Sequence, residues 1–384
     1  MITPIKPDYK GSGRAKRAHL WLATLQKEYD TEVLIIQNGR SASFFKCGYN
    51  EYVLNIKNSF SQKARQVINI LISLLNGRLS GLSRLFWFSL TKEQELYLSH
   101  FRGIRYSRVI CFRLYLSEQA LYLNSIADIE KTELDMDDLE SSTWKSIARL
   151  LVRERKFKAA LHFWMASLQF FRNESLVLDK FSSLYVCSED DREILSARFN
   201  SSRFEVFANK IYGYPLSRNQ NNPPVSFLFI GSMDYYPNAS GISWFIKCVW
   251  PLLLRKYSFI RLNIAGFATT GEITRLVADT EGANLLEPGI PIEEIYKSSD
   301  IVISPLFAGG GTKLKILEAM WFGLPVVATE ESVRGFRMVE EVHYLAADLP
   351  VDFIKKCETL LLNKELYQKL SANGQQLVAR NFCY

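Results

Sequence analysis

The sequence predicts an α/β protein of two Rossmann-like, doubly wound domains, spanning residues 1–217 and 225–384. Three observations lead to this reading. The chain has 384 residues, well beyond the ~100–150 of an ordinary single core. In both halves, short β-branched runs alternate with longer helix-like segments, the rhythm of parallel strands covered by helices on both faces. The polar stretch 218–224, RNQNNPP, divides the chain nearly in half, and such Asn and Pro clusters belong to loops. With 48% hydrophobic and 23% charged residues, 20 Gly and 12 Pro, the composition excludes disordered, collagenous and low-complexity classes.

The second half carries the rhythm clearly. The spacing predicts strands at 225–230 (VSFLFI), 260–265, 284–287, 300–304 (DIVIS) and 326–329, with helices at 241–257, 272–279, 312–322, 351–362 and 364–380. Near-continuous apolar strands of this kind are buried on both faces. The first half is noisier, with strands expected at 31–36, 107–112, 133–135, 183–187 and 204–208, and helices at 14–28, 62–75 and 144–172. A Gly turn at 11–13 follows only Met1 to Pro4, so the first strand is expected to be truncated or missing.

The run 304–329, SPLFAGGGTKLKILEAMWFGLPVVAT, concentrates the chemistry. Gly309, Gly310 and Gly311 follow a buried strand and let the main chain approach a ligand closely. The helix expected after them aims free amides and its positive dipole end at the same place, which suits phosphate. Lys313, expected in the first helical turn, adds a cation that neutralises a diphosphate; a cation there is otherwise unfavourable. Lys315 is expected to face elsewhere. Glu318, within a helix otherwise apolar at Leu314, Ile316, Leu317, Ala319 and Met320, offers a carboxylate for ribose hydroxyls. Each feature alone is a strand-to-helix link or a surface carboxylate; together, at this spacing, they describe a site. The run contains neither GxxxxGK[ST] nor GxGxxG with an acidic residue at the next strand end, so the usual ATPase and NAD markers are missing.

The same run resembles the nucleotide-sugar-binding segment of retaining GT-B glycosyltransferases of the group 1 family, which reads as a Pro, a Gly-rich loop, a Lys and then LEAMxxGxPVVAT. Residues 229–238 (FIGSMDYYPN) resemble that family's opening donor-domain strand and loop, and 288–305 its stretch before the Gly loop. Residues 3–13 (TPIKPDYKGSG) resemble the acceptor-domain Gly turn, 135–141 (DMDDLES) a segment of one bacterial branch, and 186–188 with Asn209 the end of the acceptor domain. The resemblance implies a GT-B fold, two Rossmann-like domains facing across a cleft. It implies a hexosyltransferase that moves a sugar from a nucleoside-diphosphate sugar with retention of configuration, without a metal or other cofactor. By the same resemblance Lys313 contacts the donor diphosphate and Glu318 the ribose, and these two are the catalytic candidates. Gly309, Gly310, Gly311 and Thr312 hold phosphate or sugar, and Gly231 borders the nucleotide cleft. Gly11 and Gly13 face the diphosphate from the other domain, with Arg17 and His19 on the diphosphate or acceptor side. Two departures stand out. The family's E-x7-E has Gly310 where its first glutamate belongs, and GSMDYYPN lacks the usual cation pair, so the diphosphate depends more heavily on Lys313.

Other candidates weigh less. Asp135-Met136-Asp137 matches in form the DxD that holds a divalent cation in GT-A transferases, but an acidic helix start accounts for the same residues and is preferred. His19, His100, His162 and His343 show no metal spacing, and no metal is expected. The six cysteines are scattered without a CxxC, as reduced thiols are. No apolar run approaches the ~20 residues of a membrane span, and the amino terminus lacks the apolar core of a secretory signal. The expected location is cytoplasmic, with peripheral contact at the inner membrane face; residues 62–84, basic and apolar by turns, are one candidate surface, a core-facing helix the other. Up to residue 220 there are 32 Lys and Arg against 23 Asp and Glu, and beyond it 15 against 17. A basic first half suits an anionic partner such as a lipid-linked acceptor or phospholipid, and no nucleic-acid motif accompanies it.

The expected function is therefore glycosyl transfer from a nucleotide-sugar donor to a glycan or lipid-linked acceptor in polysaccharide biosynthesis. The alternatives are a nucleotide-sugar epimerase of the same architecture, or a non-catalytic GT-B-like partner protein, which Gly310 and the short opening strand favour. The sugar, the base and the acceptor stay open.

Overall fold

The computed structural model describes residues 1–39, 43–48, 50–57, 90, 92–215, 223–266 and 270–384. The chain divides into two compact units, Met1–Ala208 and Asn209–Tyr384. Asn209 and the residues after it join the second unit because Ile211 pairs with the end of the chain: its amide donates to the Phe382 carbonyl (2.7 Å) and its carbonyl accepts from Tyr384 (3.2 Å). Most of the RNQNNPP stretch, like residues 62–84, lies outside the described residues.

Among the described residues the first unit has eight strands: β1 (Ile2–Thr3), β2 (Val33–Gly39), β3 (Ser43–Lys46), β4 (Glu51–Lys57), β5 (Arg105–Phe112), β6 (Asp128–Asp137), β7 (Leu184–Val186) and β8 (Phe204–Val206). They form one sheet in the order β3-β4-β2-β1-β5-β6-β7-β8. Every neighbouring pair is parallel except β3, which folds back antiparallel on β4 at the edge. The opening strand is present but only two residues long, and it sits mid-sheet, where Ile2 is paired with Leu34 and Cys111. Val33, Leu34, Ile35 and Ile36 are all buried, as a parallel strand covered on both faces requires.

Three local expectations are corrected here. The β3–β4 hairpin was not expected. The helix predicted over 144–172 is two helices, Glu140–Arg153 and Phe157–Val177, interrupted where Arg155 takes a left-handed φ of 59°. The acidic cluster Asp135–Asp138 is not a helix start: β6 continues to Asp137, the helix begins only at Glu140, and the carboxylates serve two buried arginines. Arg17, on the helix Gly13–Leu25, is only 1% exposed and donates twice to Asp135 at 2.7 Å and once to the Phe207 carbonyl at 2.8 Å. Trp21 Nε1 also donates to Asp135 (2.6 Å). Arg113, equally buried, lies 2.7 Å from both Asp137 and Asp138 and pairs with Glu140. Among the described residues no group of three His, Cys, Asp or Glu is placed to hold a metal ion.

Among the described residues the second unit has six parallel strands: β9 (Ser226–Ile230), β10 (Arg261–Ala265), β11 (Ala283–Leu285), β12 (Ile301–Ser304), β13 (Val326–Ala328) and β14 (Leu345–Ala346). Their order, β11-β10-β9-β12-β13-β14, is that of a Rossmann sheet. The helix expected over 241–257 begins earlier and breaks into Tyr236–Cys248 and Trp250–Lys256, because Pro251 lacks the amide that would continue the first helix. Among the described residues no helix is long and apolar enough to cross a membrane.

The Arg17–Asp135 pair yields a stability prediction. Removing one partner strands a buried charge, so Arg17→Met is expected to destabilise the first unit by about 3–5 kcal/mol. Arg17→Met combined with Asp135→Leu should recover much of that loss. Urea unfolding followed by circular dichroism measures both; a single variant as stable as the parent would show that the pair carries no such constraint.

Candidate functional site

The strand order of the second sheet reverses between β9 and β12, and loops leaving such a point diverge and open a crevice at the carboxyl ends of the strands. The loop after β12 is pinned at its base. Ser332 Oγ donates to the Ser304 carbonyl (2.6 Å), and Thr329 Oγ1 donates to the Leu306 carbonyl. The glycine turn follows. Gly309 has φ 131°, and a β-carbon there would lie 2.9 Å from the Tyr235 hydroxyl, so any other residue would be strained and would push on that ring. The turn's carbonyls face cations: Arg334 donates to Gly309 (3.4 Å) and Lys313 Nζ to Gly311 (3.1 Å). Among the described residues no protein carbonyl takes the amides of Gly310, Gly311 or Thr312. The Thr312 hydroxyl accepts from Asn209 Nδ2 at 2.8 Å.

Lys313 is not in the first helical turn. It caps the helix Leu314–Trp321 with extended backbone, φ −90° and ψ 90°, and its buried ammonium lies 3.6 Å from Glu331. This moves Lys315 as well. On a continuous helix, residues two apart point to nearly opposite sides, which would turn Lys315 away from Lys313. With Lys313 outside the helix the rule does not apply, and the two ammonium groups act on each other. Lys315 Nζ donates to Asn238 Oδ1 (2.8 Å) and lies 4.7 Å from the centre of the Phe229 ring. Burial, reinforced by Lys313, lowers its pKa to about 7, against the opposing pull of Glu318.

Asn238 joins the two motifs. Its Nδ2 donates to the Ser232 carbonyl (2.8 Å) and packs on Gly231, where a β-carbon would come within 2.7 Å of that nitrogen. Residues 229–238 and 304–329 thus meet through the Lys315–Asn238 hydrogen bond. Glu318 is buried and accepts from the Tyr296 hydroxyl at 3.0 Å; the same hydroxyl also reaches the Lys315 carbonyl (3.2 Å). It is therefore no surface carboxylate.

In the first unit, Gly11 packs against the following helix, where a β-carbon would lie 2.7 Å from that of Ala15. Gly13 opens that helix behind Ser12, whose hydroxyl accepts from Ala15. His19 is half-buried, with its ring centre 5.7 Å from that of Tyr9. Arg17 turns inward to Asp135. The structure thus gathers Gly231, the glycine turn, Thr312, Lys313 and Glu318 in one unit, and Gly11, Gly13 and His19 at one helix start in the other. Sequence reasoning missed the roles of Lys315, Asn238, Tyr296, Glu331 and Arg334; the lysine pair KLK was the one signal within reach.

Residues 224–363 match the family described as glycosyl transferases group 1. The chain is 23% identical over 287 residues to an uncharacterized 44.6 kDa protein in the cps region of Klebsiella pneumoniae, covering 72% of this chain and 71% of that one. It is 26% identical over 191 residues to an uncharacterized glycosyltransferase of Haemophilus influenzae, covering 48% and 53%. Among solved structures it is similar to sucrose-phosphate synthase from Thermosynechococcus elongatus, with a TM-score of 0.64 at 12% identity over 97% of this chain and 90% of that one. It is also similar to WaaG, a glycosyltransferase involved in lipopolysaccharide biosynthesis, with a TM-score of 0.59 at 12% identity over 98% and 94%. The chain spans about half the length of the H. influenzae relative and of the similar S. aureus TarM structure. The fold is that of the GT-B glycosyltransferases, two Rossmann-like units, and the match to group 1 glycosyl transferases lies within the second unit.

The titration of Lys315 gives the site a pH signature. Its ammonium is protonated below about pH 7 and loses its proton above it. An anion binds the protonated form better, so affinity for a nucleoside diphosphate should be highest below neutrality and fall as pH rises. Lys315→Met should weaken binding at low pH and flatten the profile. Calorimetry with UDP from mildly acidic to mildly alkaline pH checks this, and a profile already flat in the parent would detach Lys315 from the anion.

Proposed function

We propose that this chain is a glycosyltransferase that moves a sugar from a nucleoside-diphosphate sugar to a glycan or lipid-linked acceptor, with retention of configuration and without a metal. The observation that carries this reading is the meeting, within the segment that matches group 1 glycosyl transferases, of a left-handed glycine turn, two neighbouring lysines and the buried Glu318. Breaking a sugar–phosphate bond builds negative charge on the departing diphosphate. Lys313, Lys315 and the amides of Gly310, Gly311 and Thr312 form a preorganised cationic wall, stabilising that charge more in the transition state than in the donor. Two ammonium groups do the neutralising that a divalent cation does elsewhere, which supports metal independence. Glu318, held by Tyr296, is the acceptor for ribose hydroxyls.

Retention follows if the acceptor oxygen attacks from the face that the diphosphate vacates. The new carbon–oxygen bond forms as the carbon–phosphate-oxygen bond breaks, and the acceptor's proton passes to the departing diphosphate. Gly310, standing where the family has a glutamate, offers no side-chain carboxylate to this step. The cps-region relative and the similarity to a lipopolysaccharide glycosyltransferase support a cell-surface polysaccharide as the product class. The proposed location is the cytoplasm, peripheral at the membrane.

Loss of one preorganised cationic donor to the leaving group costs on the order of 10²–10³ in rate. Lys313→Ala is expected to fall in that range in kcat, while Glu318→Gln should chiefly raise the donor KM. Assays with a panel of nucleotide sugars and oligosaccharide or lipid-linked acceptors measure both, with NMR reporting the product anomer and EDTA leaving the rate unchanged. Donor turnover that needs no acceptor would replace transfer by epimerisation; an inverted product anomer or loss of rate in EDTA would remove those parts of the proposal.

A further inference from the structure

The helical hairpin of Glu140–Arg153 and Phe157–Val177 exposes apolar surface that its own packing does not use. The second helix turns Ala160, Ala166 and Phe170 into the unit, and Trp144 of the first helix stacks on Phe163 and Phe170. A second apolar stripe faces water. Phe157, Leu161, Trp164, Leu168 and Phe171 are 64%, 58%, 49%, 47% and 46% exposed. Their spacing alternates four and three, which places them in one line about 21 Å long. Val152, 50% exposed, extends the apolar surface at the turn.

The charge around this stripe has one sign. Residues 145–172 contain seven Lys and Arg and a single acidic residue, Glu154, itself 2.9 Å from Lys156. Lys145, Arg149 and Arg153 line the exposed side of the first helix at intervals of four, and Arg155, Lys156 and Lys158 crown the turn. At the far end Arg198 lies over the Phe171 ring, 4.7 Å from its centre, though its charge is paired with the buried Glu174 at 2.7 Å.

We propose that this hairpin docks the protein on an anionic bilayer surface, with the stripe lying at the boundary between head groups and acyl chains and the basic rows against the head groups. The same four-three spacing suits a coiled-coil partner, but two features favour lipid. A second copy would bring basic rows against their like. Three of the five stripe positions are Phe or Trp, side chains that sit well at a bilayer interface. Among the described residues no helix crosses a membrane, so the contact is peripheral. The inference rests on exposure and charge in the first unit and does not depend on the proposed reaction.

The test is sedimentation of the full chain with vesicles of phosphatidylcholine alone, and with about one third phosphatidylglycerol, at low and high salt. The expected result is binding to the anionic vesicles, weakened by salt. Leu161→Ser with Trp164→Ser, and separately Arg149→Glu with Arg153→Glu, should each lower partitioning on the order of tenfold or more, with the circular dichroism melting curve unchanged. Should the serine pair fail to fold, the charge-reversed pair, on exposed positions, serves alone. The proposal is overturned if the parent ignores anionic vesicles, or if the folded variants bind like the parent. It is also overturned if sedimentation velocity shows a self-associating parent that binds no vesicles and the variants abolish only that association, which assigns the stripe to a helix partner.

Discussion

Two ammonium groups brought together at the start of one short helix set the terms for the second unit. Lys313 and Lys315 repel each other, burial strips Lys315 of water, and the helix dipole adds positive potential at the same place. Glu331, Glu318, Asn238 and the Gly311 carbonyl offset part of this. None of them sits as a doubly charged group between the two cations. Such concentrated, desolvated charge is costly in a resting protein and is characteristic of sites that receive an anion. The glycine turn is subordinate to it: the Gly309 and Gly311 carbonyls accept from Arg334 and Lys313, and the amides of Gly310, Gly311 and Thr312 are the polar edge offered to a ligand.

The first unit handles charge at its strand ends in the opposite way. Asp135, Asp137, Asp138 and Glu140 follow one another at the end of β6, yet each is matched by Arg17 or Arg113. The result is a buried ionic network that orients the helix Gly13–Leu25 against β6. Arg113 and Asp137 both take positive φ values, 88° and 62°, which the network holds in place. The second unit gets its close fit from main chain instead: a β-carbon on Gly266 would lie 1.9 Å from the Gly231 carbonyl oxygen, so the ends of β10 and β9 close on each other as only glycine allows. One set of strand ends pairs its charges within the unit and the other is left cationic, although in both sheets the strand order reverses beside the opening strand.

This contrast explains what was legible in the sequence. The strands of the second half could be read because near-continuous apolar runs such as VSFLFI and DIVIS have little alternative to a doubly covered sheet. The glycine turn, Lys313 and Glu318 could be read because they fall in one contiguous run. Lys315 could not, since its direction depends on where the helix begins, a matter of two residues that propensity does not fix. The acidic cluster Asp135–Asp138 misled for a related reason: its partners, Arg17 and Arg113, lie far away in sequence, and nothing local distinguishes carboxylates awaiting buried arginines from an acidic helix cap. The hairpin stripe was hidden because a helix apolar on two faces gives a diluted periodic signal, and residues 144–172 showed only that they were helical.

The uneven charge of the chain can now be divided physically. Arg17 and Arg113 are part of the first half's basic excess, but their charge is spent inside the unit and has no reach outside it. Residues 145–172 are different, because six of their seven basic side chains are exposed and one acidic residue accompanies them. Charge spread along two helices does not resemble a pocket for a small anion; it resembles a face made for an extended one. Screening limits such a face to a range of about 8 Å at physiological salt, so charge alone would hold it only loosely. Apolar burial alone would attract any bilayer, charged or not. A row of each on the same hairpin makes the contact depend on both terms, which is how a protein without a membrane-spanning helix among its described residues gains selectivity for one kind of surface.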